Sequence, residues 1–178
     1  INCIAKCSLF AFSSFTVFKN NKGKKMNGIK IYRFANYLHK KKVPLLPRIL
    51  QRLIYILYNA HIPCEADIGE GTLLGYGGMG IVIHTNAKIG KNCMILQQVT
   101  IGTAVPFFDM NNLHPVPIIE DNVYIASGAK ILGGITIGEG SVIGANSVVT
   151  KDIPRNSLVL GIPGKVIKKI ENKAILTK

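Results

Sequence analysis

Large aliphatic side chains recur at every sixth position over most of the chain. They fall into three phased runs: Ile62, Ile68 and Leu74; Ile83, Ile89, Ile95 and Ile101; and Ile119, Ile125, Ile131, Ile137, Ile143 and Val149. Neither the period of an α-helix nor the alternation of a β-strand explains this spacing. A short strand followed by a turn does, when three such units close one triangular coil of about 18 residues. The pattern therefore predicts a β-helix of somewhat more than four coils, with these thirteen side chains pointing inward.

The period is interrupted twice, and each interruption predicts a projecting feature. Leu74 and Ile83 are nine residues apart, so three extra residues must bulge within residues 75–80. The isoleucines on either side of residues 103–117 are 18 apart, which keeps the phase, but the residues between them lose the pattern. We predict that this second segment forms a loop, and loops on a rigid scaffold are common places for chemistry.

Residues 26–60 predict two amphipathic helices. The first begins near Ile29 and ends before Pro44, and the second follows Pro47 and ends near Tyr58. Basic amphipathic helices are common at membrane surfaces. Their apolar faces also serve to cap a neighbouring domain or to pack in an oligomer. We prefer capping or oligomer contacts and keep attachment to the inner face of the cytoplasmic membrane as the alternative.

The net charge of +13 is confined to the front of the chain. Twelve basic residues and no acidic one precede Glu65, whereas ten basic and nine acidic residues lie from Glu65 onward. This division excludes a nucleic-acid-binding domain with basic charge over its whole surface. The four cysteines form no CxxC pair and no dense framework. Their pattern excludes a zinc ribbon and a disulfide-stapled secreted domain and favours a reducing, cytoplasmic compartment.

These patterns divide the chain into four parts. The apolar run within residues 1–25 is too short to span a bilayer, which takes about 20 residues. We interpret this part as a non-native or disordered leader before a start at Met26. Residues 26–60 hold the basic helices, residues 61–158 the β-helix with its loop, and residues 159–178 a C-terminal tail.

Several short motifs give the sequence a family resemblance. They are Gly-Ile-Val-Ile-His at 80–84, Gln-Val-Thr-Ile-Gly at 98–102, His114-Pro115, the stretch 144–154, and Gly-Ile-Pro-Gly-Lys at 161–165. With them the chain resembles the hexapeptide-repeat acyltransferases, in the serine acetyltransferase-like group that includes O-acetyltransferases of bacterial surface polysaccharides. The resemblance implies a mainly β chain folded as a left-handed parallel β-helix. It also implies a homotrimer that holds acetyl-CoA as co-substrate in a cleft between subunits, with no metal.

Acyl transfer from a thioester to a hydroxyl needs a base for the hydroxyl proton and a donor for the developing oxyanion. Histidine suits the base because its pKa lies near neutrality. His114, on the predicted loop, is the first candidate, and His84, expected to face outward beside the bulge, is the second. Asp109 is a candidate for orienting a histidine, and Tyr76 for contacting the acceptor.

The resemblance also assigns residues to coenzyme A. Small residues leave room for the pantetheine arm, and lysines bind the phosphates as point charges. The matching positions are Ser127, Ala145, Thr150, Lys151 and Lys165.

Three departures from serine acetyltransferases bear on the acceptor. The family's Asp-His pair reads Gly75-Tyr76 here, the Asp that supports this histidine is matched by His61, and the Arg before His-Pro is Leu113. Without that arginine, bidentate recognition of the carboxylate of free serine is difficult to build. We therefore expect the acceptor to be a sugar hydroxyl of a capsule or O-antigen polysaccharide, or of its precursor. Serine and the amine of an amino sugar are the alternatives.

Two other classes of function fit less well. A metal hydratase similar to γ-class carbonic anhydrase needs three histidine ligands, and no second histidine lies five residues after His114. A non-catalytic trimeric scaffold is the remaining alternative.

Overall fold

The computed structural model describes residues 27–104 and 115–170, which form two α-helices and fourteen short strands. The helices are α1 (Gly28–Lys40) and α2 (Leu46–Tyr58). The first strands are β1 (Asp67–Ile68), β2 (Leu73–Leu74), β3 (Val82–Ile83), β4 (Lys88–Ile89), β5 (Met94–Ile95), β6 (Thr100–Gly102) and β7 (Ile118–Ile119). The others are β8 (Tyr124–Ile125), β9 (Lys130–Leu132), β10 (Thr136–Ile137), β11 (Val142–Ile143), β12 (Val148–Val149), β13 (Ser157–Leu160) and β14 (Lys165–Lys169).

Successive strands pass from one face of a triangular prism to the next. Sheet 1 has the order β1-β4-β7-β10, sheet 2 begins β2-β5-β8-β11 and continues into β13 and β14, and sheet 3 has the order β3-β6-β9-β12. Strands β1 to β12 pair in parallel and in register, so that Ile68 lies beside Ile89 and Ile89 beside Ile119. Three strands therefore make one coil. The predicted mainly β, parallel β-helix with N-terminal helices is confirmed.

The aliphatic residues of the six-residue period form the core. All thirteen are buried, and the most exposed of them, Ile68, has 6% of its surface accessible. The residue before each of them in its strand points the other way, as Ile118 shows with 44% exposed beside Ile119 with 2%. Since one coil cannot bury its inner face alone, the stability of the prism comes from stacking neighbouring coils.

Glycines after the inward aliphatic positions allow the turns of neighbouring coils to stack closely. A Cβ added to Gly138 would lie 2.5 Å from the backbone nitrogen of Arg155 and 2.8 Å from the carbonyl oxygen of Ile153. Gly90 is enclosed by the backbone of the next coil in the same way. The residues that follow the isoleucines are therefore small because a larger side chain would clash with the backbone of the next coil.

Helix α1 caps the first coil. Three of its side chains donate hydrogen bonds to backbone carbonyls of that coil: Tyr32 OH to Ala66 at 2.6 Å, Asn36 Nδ2 to Cys64 at 2.8 Å, and Arg33 Nη2 to Gly69 at 2.9 Å. Burial raises the pKa of Tyr32 to about 12, so its hydroxyl remains a donor at neutral pH. These bonds cover an edge that would otherwise present unpaired backbone groups.

The other end of the prism is extended by a hairpin. Strand β13 joins sheet 2 beside β11, and β14 runs back antiparallel to β13. The predicted boundary between β-helix and C-terminal tail, at residue 158, lies inside β13. The predicted leader, residues 1–25, lies outside the described residues. Within the described ranges, no helix is both long enough and apolar enough to cross a membrane.

Candidate active site

The predicted site residues that the structure describes lie mainly along two corners of the prism. We name the turns that follow the sheet 2 strands the small-residue corner, and those that follow the sheet 3 strands the loop corner. The loop corner carries the insertion between Gly102, where β6 ends, and Ile118, where β7 begins. Residues 105–114 of this insertion, with the candidates His114 and Asp109, lie outside the described residues.

One column of residues runs along the loop corner. In register, His84 lies beside Gly102, Gly102 beside Leu132, and Leu132 beside Thr150. Because neighbouring strands are about 4.8 Å apart, the column is about 14 Å long. Among the described residues, a Cβ added to Gly102 would meet no atom within 4 Å. The described residues therefore leave space beside Gly102, which is the neighbour of His84 in the column.

His84 has a defined tautomer when it is neutral. Its Nδ1 accepts a hydrogen bond from the backbone N–H of Asn86 at 3.2 Å. A neutral imidazole whose Nδ1 accepts a hydrogen bond carries its proton on Nε2. The Nε2 atom is therefore a donor, which suits stabilisation of a developing oxyanion better than removal of a proton.

Three of the predicted coenzyme A residues lie at the C-terminal end of the prism. Thr150 and Lys151 directly follow β12. The backbone N–H of Gly164 donates to the carbonyl of Val148 at 2.7 Å, which brings the neighbouring Lys165 to the same strand. All three predicted residues are exposed. Two exposed ammonium groups at the last coil suit the phosphates of a ligand that extends along the column.

A second column runs along the small-residue corner. It contains Met79, Gln97, Ser127 and Ala145, which occupy the same place on four successive coils. The carbonyls of Gln97 and Ser127 accept hydrogen bonds from turn amides of the following coil at 3.0 and 2.9 Å. Ser127 and Ala145 are therefore neighbours on successive coils, as a ligand arm that contacts both requires.

Gln97 is a candidate that the sequence analysis missed. Its Oε1 is buried, and among the described residues it is the one buried side-chain atom found without a hydrogen-bond partner. A buried acceptor of this kind calls for an explanation, and an absent ligand or subunit is one. The register could have found it, since Gln97 precedes Ser127 by 30 residues, which is one 18-residue coil plus a 12-residue insertion.

Tyr76 lies on the bulge that the sequence predicts. The bulge includes a kinked turn over Gly75–Gly78, in which Tyr76 has φ +51° and is 54% exposed. Burial raises the pKa of Tyr124, and the ionised form of Tyr76 raises it to a smaller extent. A bulky residue in the left-handed region is an outlier, and such residues are common at functional sites.

The one group of described residues that could hold a metal ion lies at the turn of residues 63–66, one coil before the turn that begins at His84. Ligand atoms of His39, Cys64 and Glu65 are all within 4.8 Å of one another. Burial, with a smaller effect of Glu65, raises the pKa of Cys64 to about 11, so its thiol is protonated at neutral pH. Lysine and arginine side chains line the same 610 Å³ cavity and oppose a cation. This cavity is therefore unfavourable for a metal ion.

Comparison with known proteins identifies the fold family. Residues 117–151 match the family described as bacterial transferase hexapeptide (six repeats). Serine acetyltransferase from Synechococcus elongatus is 40% identical over 136 residues, which is 76% of this chain and 54% of that protein. The enzyme from Helicobacter pylori is 35% identical over 138 residues, which is 78% of each chain. The chain belongs to the serine acetyltransferase-like group of hexapeptide-repeat transferases. Its β-helix is accordingly of the left-handed kind.

Solved structures agree with this assignment. A serine acetyltransferase in complex with cysteine has a TM-score of 0.73 and 31% identity, over 84% of this chain and 56% of that one. Soybean serine acetyltransferase complexed with serine has a TM-score of 0.71 and 34% identity, over 79% and 56%. The chain thus spans a little more than half the length of these two solved structures and of the Synechococcus elongatus enzyme.

These matches contradict the expectation of a polysaccharide acceptor, which is wrong. That expectation depended on three positions, the Gly75-Tyr76 pair, His61 and Leu113. The similarity to serine acetyltransferases extends over more than three quarters of the chain at about two identical residues in five. During evolution, single side chains around an acceptor change more easily than a whole scaffold does. The three departures are therefore weaker evidence about the acceptor than the overall match is.

Proposed function

We propose that the chain is an acetyl-CoA-dependent O-acetyltransferase whose acceptor is the hydroxyl of serine. The observation that carries this proposal is the match to serine acetyltransferases at 35–41% identity. One matched structure is a complex with serine and another a complex with coenzyme A. The space beside Gly102 and the exposed lysines at the last coil of the same corner suit an elongated thioester donor.

Transfer is direct, with no covalent enzyme intermediate. His114 removes the proton from the serine hydroxyl as its oxygen attacks the thioester carbonyl. The Nε2–H of His84 donates to the oxyanion of the tetrahedral intermediate. As this collapses, the carbon–sulfur bond breaks, the ester forms, and the coenzyme A thiolate takes the proton back from His114. Asp109 orients His114, and Tyr76 contacts the acceptor.

The working unit that we propose is a homotrimer in the cytoplasm. The five predicted coenzyme A positions lie on two corners that are separated by the width of sheet 3. One prism therefore does not gather them around a single ligand, whereas the loop corner of one subunit facing the small-residue corner of the next would do so. Cys64 and Cys93 are buried and free, as suits a reducing compartment.

Serine-dependent release of free thiol from acetyl-CoA tests the proposed function. The purified chain is expected to release coenzyme A in the presence of L-serine, and mass spectrometry is expected to find O-acetylserine as the product. L-Alanine is the matched control, because it is serine without the hydroxyl. Thiol release with L-serine no faster than with L-alanine would overturn the proposal.

The Tyr76→His variant tests the position at which the serine acetyltransferases carry a histidine. Histidine adopts a left-handed backbone more readily than tyrosine does, and it adds a group able to exchange protons beside the acceptor. We expect kcat/KM for L-serine to rise about tenfold or more. Tyr55→His is the control, since Tyr55 is exposed to a similar degree, 52%, but lies on α2. A kcat/KM for Tyr76→His that does not differ from that of the control would contradict a role for Tyr76 beside the acceptor.

A further inference from the structure

Helix α2 presents an apolar face that no described residue covers. Its large aliphatic residues recur at spacings of three and four, and they expose between 38% and 72% of their surface: Leu46, Ile49, Leu53, Ile56 and Leu57. We name these five residues the α2 apolar face. Only Pro47 and Ile54 of this helix are buried, and they lie on a different side of it. A contiguous exposed face of this kind marks a site of interaction.

The connection between the two helices adds to this surface. Leu45 stands immediately before α2 with φ +66° and 70% of its surface exposed. Leucine rarely adopts this left-handed conformation, and its exposed side chain has little packing to offset the strain. On α1, Phe34 and Tyr37 are also more than half exposed. Apolar groups therefore continue from α2 across the connection to the outer side of α1.

The same segment is strongly and uniformly basic. Residues 27–64 contain no acidic residue and seven basic ones: Lys30, Arg33, Lys40, Lys41, Lys42, Arg48 and Arg52. All of these except the half-buried Arg33 are exposed. Arg48 and Arg52 are one helical turn apart and flank the α2 apolar face. A second copy of this hairpin would bring like charges together, whereas an anionic surface complements both its charge and its apolar groups.

We propose that α1 and α2 dock the protein on an anionic lipid bilayer, with α2 lying in the plane of the membrane surface. The thirteen residues of α2 extend about 20 Å, which is too short to cross a bilayer. In the plane of the surface, the α2 apolar face enters the boundary between headgroups and acyl chains while the basic side chains remain at the headgroups. This inference does not depend on the identity of the acceptor.

Cosedimentation with lipid vesicles tests the proposal. The full chain is expected to pellet with phosphatidylcholine vesicles that contain phosphatidylglycerol, and to remain in the supernatant with pure phosphatidylcholine vesicles. The paired variants Ile49→Ser with Ile56→Ser, and Arg48→Gln with Arg52→Gln, are each expected to lower the vesicle partition coefficient about tenfold or more.

Matched controls come from strand β14 at the other end of the prism. Val166 and Ile167 are exposed by 45% and 56%, so their replacement by serine removes similar apolar area elsewhere. Lys168→Gln with Lys169→Gln removes the same charge as the arginine pair. Equal losses of binding in the controls and in the α2 variants would overturn the proposal, because they would indicate attraction to the whole molecule.

Sedimentation without lipid distinguishes between two partners of the α2 apolar face, a membrane and a second copy of the chain. If the wild type ignores anionic vesicles and the Ile49/Ile56 variant lowers the oligomeric state, the α2 apolar face is a contact between copies and the proposal fails. If the wild type binds vesicles and its oligomeric state is unchanged in the variant, the proposal stands. Thiol release in solution is expected to be unchanged in all these variants, which also confirms that they fold.

Discussion

Replacing His114 by alanine is expected to lower kcat for acetyl transfer by about 100- to 10,000-fold. The reason is that a neutral serine hydroxyl attacks a thioester slowly unless a base takes its proton. Steady-state thiol release with saturating L-serine and acetyl-CoA measures the effect. His39→Ala is the control, because His39 is an exposed histidine near the end of α1 and belongs to neither column.

The pH dependence of kcat/KM separates the roles of the two histidines. A base with the usual histidine pKa of about 6.5 is protonated below that pH, so the wild-type rate should fall as the pH decreases. This decrease of kcat/KM at low pH should disappear in His114→Ala and persist in a His84→Ala variant. If it persists in His114→Ala and disappears in His84→Ala, the two assignments are exchanged.

The proposed role of His84 as a hydrogen-bond donor is tested by comparing the kcat of two variants at this position. A side-chain amide keeps an N–H donor but cannot act as a base at neutral pH. His84→Gln is therefore expected to retain more of the kcat than His84→Ala does, since loss of an oxyanion donor costs about 100- to 1,000-fold. Equal losses in the two variants would argue that the imidazole itself exchanges the proton.

The core of this fold is predictable because one residue of each two-residue strand points inward. Once a period of six fixes three strands to a coil, positions such as Ile125 and Ile143 must stack beside each other, and both are fully buried. The bulge before Ile83 was predictable for the same reason. Extra residues cannot enter a closed coil without leaving its path, and they form the turn that holds Tyr76.

The two columns were harder to predict from the sequence than the core. Gln97 and Ser127 are neighbours only after the insertion is subtracted, and the period does not say whether an insertion belongs to the turn before or after a given strand. The cap formed by α1 depends on where Tyr32 and Asn36 meet carbonyls of the first coil. Amphipathicity indicates which face of a helix is buried, but it does not identify such partners. The left-handed backbone of Tyr76 leaves no sequence signal either.

The acceptor was predicted wrongly for a related reason. Gly75-Tyr76 and Leu113 were interpreted as the loss of contacts that free serine needs, although contacts from other residues or another subunit can replace them. Gln97 and Ser127 lie in one column, and Tyr76 lies on the bulge that leads into it. Recognition of a small acceptor depends on the geometry of several residues together, which no single residue position encodes.

Ile119→Ala is expected to lower the free energy of unfolding by about 2–5 kcal/mol, whereas Ile118→Ala should change it by less than about 0.5 kcal/mol. The two isoleucines are adjacent in β7, but Ile119 is 2% exposed and packs between the coils of Ile89 and Ile137, whereas Ile118 is 44% exposed. The pair removes the same atoms from the same strand, so it isolates burial from strand propensity. Urea unfolding at one fixed protein concentration measures both values. Equal destabilisation by the two variants would show that the six-residue period does not set the direction of the side chains, and the alignment of both columns would fail with it.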